Sequence, residues 1–231
     1  MHTLTHFRLC PLSRSIRIAL AEIGIEADLL EERPWEYRPA FLALNPSGEL
    51  PVLALEGGTI LCGAYAVSEY FGDLLKDRVK EGITAPLFPG TADDRAEVRR
   101  LVDWFHGKLN REVTRELLIE RVYGFLNAGS GHVPDSGILR AIRANLRYHL
   151  SYVNYLSDQR RWLAGDEMSF ADIAAASQIS TIDYLGEVPW VDYPATKAWY
   201  TRIKSRPSFR TLLADRVPGA PPSNAYANLD F

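Results

Sequence analysis

Cys10 and Ser13 lie three residues apart, at the start of a segment that the sequence predicts to be an amphipathic helix. A thiolate is a strong nucleophile, and the free amides at a helix N-terminus carry partial positive charge that stabilises it. Because Arg14 adds a full positive charge nearby, we expect the pKa of the Cys10 thiol to be lowered. The alternative interpretation is that Cys10 fills the corner between a strand and the helix as a small apolar side chain.

The elements that would position Cys10 follow from changes of hydrophobic period in the first eighty residues. The pattern predicts strands at "HTLTHFRL", "EADLLEERP", "LPVLAL" and "TILCG". It predicts helices from Ser13 to Gly24 and at "AVSEYFGDLL". The order is therefore βαβ followed by ββα, an α/β domain over residues 1–80.

A stretch rich in Gly and Pro, residues 81–91, separates this domain from a helical one over residues 92–217. Two long amphipathic helices are predicted first, because apolar residues recur at helical spacing from Val98 to Leu109 and from Leu139 to Leu156. A nearly apolar helix follows "MSFAD", where Ser169 and Asp172 form a predicted capping box. Residues 218–231 form a tail rich in Pro, Gly and Asn.

Composition excludes several classes of function. The formal net charge of −3 gives no general attraction to nucleic acid or to an anionic membrane. No apolar run approaches the roughly 18 residues of a membrane span, and the first residues lack the layout of a signal peptide. Two cysteines are too few for a disulfide framework, and no Cys/His spacing predicts a metal site. We therefore expect a cytoplasmic protein without a metal.

Four motifs in this order, "CPLS", "NPSGELPVL", "MSFADIAAA" and "WYTRIKSRPSF", resemble the glutathione transferases over essentially the whole chain. The resemblance implies a thioredoxin-like N-terminal domain, a C-terminal helical bundle and a homodimer. It also implies that Cys10 occupies the place of the cysteine that forms mixed disulfides with glutathione in omega-type members. Ser13 then occupies the place of the hydroxyl that other classes use.

The same resemblance locates the glutathione site. It implies that Leu50 and Pro51 form a cis peptide bond, with the backbone of Leu50 facing the cysteinyl part of glutathione. Gly63 and Ala64 take the places of an acidic or amide residue and a Ser or Thr that hold the γ-glutamyl group. Losing two such contacts costs about 1.5–3 kcal/mol each, or roughly one to two decades of affinity apiece.

A shift of that alignment by one or two residues would leave an alternative. Ser68 or Glu69 would then supply the missing polar groups. If the alignment stands, Cys10 has no well-held thiol partner.

A narrower resemblance concerns the C-terminal third. The stretches "STIDYLGEVPW", "KSRPSFRTLLADRVPG" and "YANLDF" are similar to glutathione-transferase-like division proteins of bacteria that bind the tubulin homologue FtsZ. It implies that the tail contributes to FtsZ binding through Leu229 and Asp230. The tail also presents the apolar groups of Tyr226, Leu229 and Phe231, which we expect to dock on the protein's own surface, on a dimer mate or on another neighbouring molecule.

Two further features fit protein binding. Arg140, Arg143 and Arg147 lie on one face of the second long helix, and could meet an acidic polymer surface or simply be solvated. Trp35 lies in a loop between Arg33 and Arg38, a composition typical of interaction hot spots. The resemblance implies an interaction-critical tryptophan in this loop, and the alternative is that Trp35 packs on its own domain.

The leading hypothesis is a non-enzymatic protein that requires no cofactor, binds FtsZ filaments and affects their curvature or bundling at the division site. The rival hypothesis is an omega-like thioltransferase that uses Cys10 and glutathione. Neither hypothesis involves nucleic acid.

Overall fold

A four-stranded mixed sheet forms the centre of the N-terminal part of the chain. The computed structural model describes residues 1–128 and 131–229. The strands are β1 His2–His6, β2 Ala27–Glu31, β3 Val52–Ala54 and β4 Ile60–Cys62. Their order in the sheet is β2-β1-β3-β4, with β1 parallel to β2 and antiparallel to β3, and β3 antiparallel to β4.

Four helices accompany this sheet. They are α1 Pro11–Ile23, α2 Pro39–Leu44, α3 Ala64–Leu74 and α4 Lys76–Lys80. Cys10 is the N-cap residue of α1, and Gly24 ends the helix in the left-handed conformation with φ of 69°. The predicted βαβ and ββα order is confirmed, and β1 and α1 bring Cys10 to the point where a strand ends and a helix begins.

Helices make up most of the described residues between 92 and 213. The α-helices are α5 Ala92–Asp103, α6 Arg115–Leu118, α7 Gly124–Ala128, α8 Ser136–Gln159, α9 Phe170–Tyr184, α10 Pro194–Lys204 and α11 Arg210–Leu213. The π-helical segments Trp104–Thr114 and Ile119–Tyr123 join α5, α6 and α7 into one rod. Short 3₁₀ turns lie at Pro34–Glu36, Trp190–Asp192 and Pro207–Phe209. No helix in residues 1–128 or 131–229 is both long and apolar enough to cross a membrane.

Helix α9 lies at the centre of the main core. All fifteen of its residues are buried, which agrees with its nearly uniform apolar sequence. The predicted capping box is confirmed, because Asp172 Oδ2 accepts the Ser169 amide at 2.9 Å and Ser169 Oγ accepts the Ala171 amide at 3.3 Å. Helices α1 and α9 pack against each other and join the two parts of the chain.

A second hydrophobic cluster lies beside Cys10, between the sheet, the helical rod and the C-terminal segment. Its buried members come from all three regions. They are Phe7, Leu9, Phe41, Leu50, Val52, Leu118, Val122, Tyr184, Val217, Ala220 and Tyr226. Cys10, Trp35 and Tyr123 pack against it as partly buried side chains.

Candidate functional site

The Cys10 thiol is partly buried at the N-terminus of α1. The surrounding side chains remove it from water, so burial raises the pKa of Cys10. The nearby polar groups of Ser13, the Leu12 amide and the charge of Arg14 lower the pKa of Cys10 in part, without reversing the effect of burial. The expected lowering of the thiol pKa is therefore wrong, because burial outweighs the helix terminus and the arginine.

Ser13 is wholly buried, so its hydroxyl is not accessible to a solvent-borne substrate in this conformation. Its Oγ has no partner at hydrogen-bonding distance among the described residues, but lies near enough to Cys10 to stabilise the thiolate form. Its role as an alternative nucleophile stays a prediction.

Arg14 points away from Cys10 into a buried network, which we call the interdomain polar cluster: Arg14, Arg17, Ser180, Asp215 and Tyr226. Arg14 Nη1 donates to Ser180 Oγ at 2.9 Å and to Tyr226 Oη at 3.1 Å. Arg17 donates to both carboxylate oxygens of Asp215 at 2.8 and 3.1 Å, and Arg14 Nη2 lies 3.4 Å from the same carboxylate. The cluster therefore ties α1 to residues near the C-terminus.

The glutathione-site positions show a different pattern. Leu50–Pro51 is cis, as expected. The Gly63 amide donates to Pro51 O at 2.9 Å, and Gly63 precedes α3 with φ of 86°. A Cβ atom at Gly63 would meet no heavy atom of the described residues within 4 Å, so the space where the missing side chain would begin is open. Ala64 is buried and adds only a methyl group.

The two residues that could have replaced them are engaged elsewhere. Ser68 is wholly buried and donates from Oγ to Tyr65 O at 2.9 Å. Glu69 accepts two hydrogen bonds from Arg99, at 2.8 and 2.9 Å. The α3 N-terminus has no side-chain cap, so backbone amides are the donors that it offers to an anion. At Gly63 and Ala64 the carboxylate of a γ-glutamyl group would meet backbone amides, and its ammonium would meet no side-chain acceptor.

Trp35 packs within the protein while remaining partly exposed. Its ring stacks on Tyr123 with centroids 4.5 Å apart and planes 28° apart, and contacts the edge of Phe7 at 5.0 Å. Burial raises the pKa of Tyr123, and a thiolate at Cys10 would raise it further, which places the two side chains close together. Trp35 is thus packed on its own domain and also reaches the helical part of the chain.

Ion pairs connect the segment that contains Tyr123 with α8. Arg121, two residues before Tyr123, donates to Glu187 Oε1 at 3.0 Å. Arg143 donates to the two oxygens of the same carboxylate at 3.0 and 3.3 Å. Arg140 is exposed one turn before Arg143, and within the described residues it forms no ion pair. We call Trp35, Tyr123, Arg121, Glu187, Arg140 and Arg143 the candidate docking surface.

The C-terminal segment docks beside this surface. The Ser223 amide donates to Tyr184 O at 2.7 Å, and Ser223 Oγ donates to Asp183 O at 2.9 Å. Of the docking places open to the tail, Tyr226 takes the protein's own surface, because its side chain is wholly buried and accepts a hydrogen bond from Arg14. Leu229 is 39% exposed, and Asp230 and Phe231 lie outside the described residues.

Sequence reasoning missed Tyr123, Arg121 and Glu187 as parts of this surface. Each lies in a helix or a turn with no local motif, and their association depends on tertiary contacts. For Glu187 the sequence offers one indication, its position in the stretch "STIDYLGEVPW" that carries the narrower resemblance. In the described part of the chain, no three His, Cys, Asp or Glu residues are grouped so as to hold a metal ion.

Two family models match the chain. Residues 9–74 match the glutathione S-transferase N-terminal domain, and residues 133–207 match the glutathione S-transferase C-terminal domain. FtsZ-localized protein A of Caulobacter vibrioides is 42% identical over 233 aligned residues, covering 99% of this chain and 98% of that protein.

Solved structures agree with these matches. FzlA from C. crescentus superposes with a TM-score of 0.92 at 42% identity, covering 100% of this chain and 99% of that one. A glutathione S-transferase from Sinorhizobium meliloti has a TM-score of 0.92 at 46% identity, with 100% of both chains covered.

Proposed function

This chain belongs to the glutathione S-transferase family, and from that premise we propose that it acts as a filament-binding protein and not as an enzyme. Its partner in this proposal is FtsZ, in agreement with the name of the relative that aligns with nearly the whole chain. Bound to FtsZ filaments at the bacterial division site, it modulates their curvature or bundling.

The observation that carries the proposal is the continuity of the candidate docking surface. Trp35 and Arg143, which are distant in sequence, are connected through the Trp35–Tyr123 stack and the carboxylate of Glu187. The C-terminal segment is anchored next to it by Ser223. One partner can therefore contact an aromatic group, a basic helix face and the exposed Leu229 together.

The charge of this surface favours an acidic partner. Arg121 and Arg143 share one carboxylate, so one positive charge remains uncompensated, and Arg140 adds another. Exposed charges of this kind speed association and fix orientation, and their effect decreases with salt. Binding to the acidic face of a filament subunit is therefore expected to weaken as ionic strength rises.

The absence of side-chain donors at Gly63 and Ala64 supports the non-enzymatic part of the proposal. The raised pKa of Cys10 supports it further, because a protonated thiol is a poor nucleophile. Bundling also needs two filament contacts in one particle. A homodimer would supply them, and exposed Tyr148 and Tyr155 on α8 are available to contact a second copy.

Sedimentation of the protein with FtsZ polymers tests the proposal. Wild-type protein is expected to pellet with polymers at low salt, and Arg140→Glu to reduce its affinity by about three- to tenfold, since exposed charge pairs are worth about 0.2–1 kcal/mol and a reversal adds repulsion. Arg78→Glu is the matched control, because Arg78 is also exposed and without an ion pair in the described residues. Absence of co-sedimentation at low salt, or equal losses in both variants, would contradict the proposal.

A thioltransferase is the second candidate, favoured by one observation. Cys10 keeps partial exposure, and the Leu12 and Ser13 amides stand ready to stabilise its thiolate. If the protein is a thioltransferase, the wild type reduces a glutathionylated test protein and the Cys10→Ser variant does not. The filament-binding proposal requires the same variant to pellet with FtsZ as the wild type does.

A further inference from the structure

Strand β2 lies at the outer edge of the sheet and is unusually exposed to solvent. Among the described residues, β2 pairs with β1 alone. One row of its backbone N–H and C=O groups therefore faces away from the sheet. Two adjacent leucines on this strand are half exposed, Leu29 at 50% and Leu30 at 53%. An edge with free backbone groups and apolar side chains is a template for a further strand.

A cleft of about 550 Å³ lies beside this edge, against the end of α1. Its apolar wall is made by residues of α1, β2 and the loop that joins them: Leu20, Ala21, Ile25, Ala27 and Leu29. Alternate side chains of an added strand would point to one side, as strand geometry requires. Those side chains have an apolar surface to pack on in this cleft.

Two cations and two carboxylates line the cleft, and the cations already have anionic partners. Arg17 is paired with Asp215, which Arg14 also contacts, and the ammonium of Met1 lies 3.3 Å from Glu56. Glu26 and Asp28 also line the cleft, and neither carboxylate forms an ion pair with any residue that the structure describes. Cationic side chains on an added strand could therefore form ion pairs with these two carboxylates.

We propose that β2 and this cleft accept an extended basic segment of another protein as a fifth strand. The segment carries apolar residues that enter the cleft and Lys or Arg residues that meet Glu26 and Asp28. Five residues of β2 offer pairing over about 16 Å. A second copy of β2 is a poor occupant, because it would add its own two unpaired carboxylates to an edge that already carries Glu26 and Asp28 and supplies no cation to pair with them.

The experiment uses the full-length protein and a fluorescein-labelled nonapeptide of alternating valine and lysine, with capped ends. Fluorescence anisotropy is expected to show binding that weakens with salt, and none for the valine–glutamate peptide. Hydrogen exchange is expected to slow in residues 27–31 when the lysine peptide is present, because outward amides of β2 become bonded. No binding, or binding without this protection, would overturn the proposal.

Variants separate the strand site from general charge attraction. Leu29→Lys is expected to weaken binding by more than tenfold, and Glu26→Gln with Asp28→Asn by about tenfold, since two exposed charge contacts are lost. Asp166→Asn with Glu167→Gln removes the same charge from exposed residues elsewhere and is expected to change nothing. Equal weakening by both charge pairs would overturn the proposal. If hydrogen exchange in residues 27–31 slows when only the protein concentration is raised, a second copy of the protein occupies the edge. That result would also overturn the proposal.

Discussion

The interdomain polar cluster and the N-terminus of α3 use charge in opposite ways. In the cluster, two buried arginines bond to a tyrosine and an aspartate that lie 212 and 198 positions later in the sequence. At α3, glycine and alanine leave backbone amides alone to meet an anion. The charged chemistry of this chain thus holds the C-terminal segment in place, and is missing where a γ-glutamyl group would bind.

Removal of Asp215 is expected to have the largest effect, because it would leave Arg14 and Arg17 buried without an anion. Asp215→Ala should lower the free energy of unfolding by about 3–5 kcal/mol, the usual cost of breaking a buried ion pair from one side. Denaturant titration measures it, with exposed Asp166→Ala as the control. A loss below about 1 kcal/mol would show that the cluster does not hold the segment, since that is the range of surface pairs.

Acid is expected to weaken the same region through His6. Burial and the charges of Arg17, Arg8 and Arg14 lower the pKa of His6 from 6.5 to about 4, while Asp215 opposes them. As pH falls from 6.5 to 4, the unfolded chain binds a proton that the folded chain does not. The free energy of unfolding should therefore fall with pH over this window, by up to about 3 kcal/mol from His6.

Comparison of His6→Gln with the wild type isolates this contribution. His106, whose pKa burial also lowers to about 4, is present in both proteins and cancels in the difference. The variant is expected to lose stability less steeply between pH 6.5 and 4. Parallel stability curves for the two proteins would mean that His6 titrates no differently in the folded and unfolded states.

The two regions also show what the sequence could and could not predict. The βαβ and ββα order along the chain and the Ser169–Asp172 capping box follow from patterns local to a few residues, and both are confirmed. The resemblance that rested on "NPSGELPVL" and "MSFADIAAA" is confirmed as well. The position of Gly63 and Ala64 at the start of α3 could also be predicted, because the helical pattern that follows them is local.

The pKa of Cys10 and the burial of Tyr226 could not be predicted in this way. The thiol is enclosed partly by a cluster that includes Trp35 and Tyr123, which only the fold brings near. Tyr226 bonds to Arg14, 212 positions earlier in the chain. The charge of Arg14 does lower the pKa of Cys10, as expected, but a sequence does not show that burial outweighs it or that the guanidinium turns toward Ser180 and Tyr226.

The smallest effect is expected when polar side chains are restored at the N-terminus of α3. Ala64→Ser adds one hydroxyl next to free helix amides, and a contact to a charged group is worth about 1.5–3 kcal/mol. Calorimetric titration with reduced glutathione should therefore show at least about a tenfold gain in affinity over the wild type. Gly63→Gln has open space for its side chain, but φ of 86° strains it, so its gain should be smaller than that of Ala64→Ser. Wild-type protein that already binds glutathione at micromolar concentration would show that backbone amides suffice, and the contrast between the two regions would then fail.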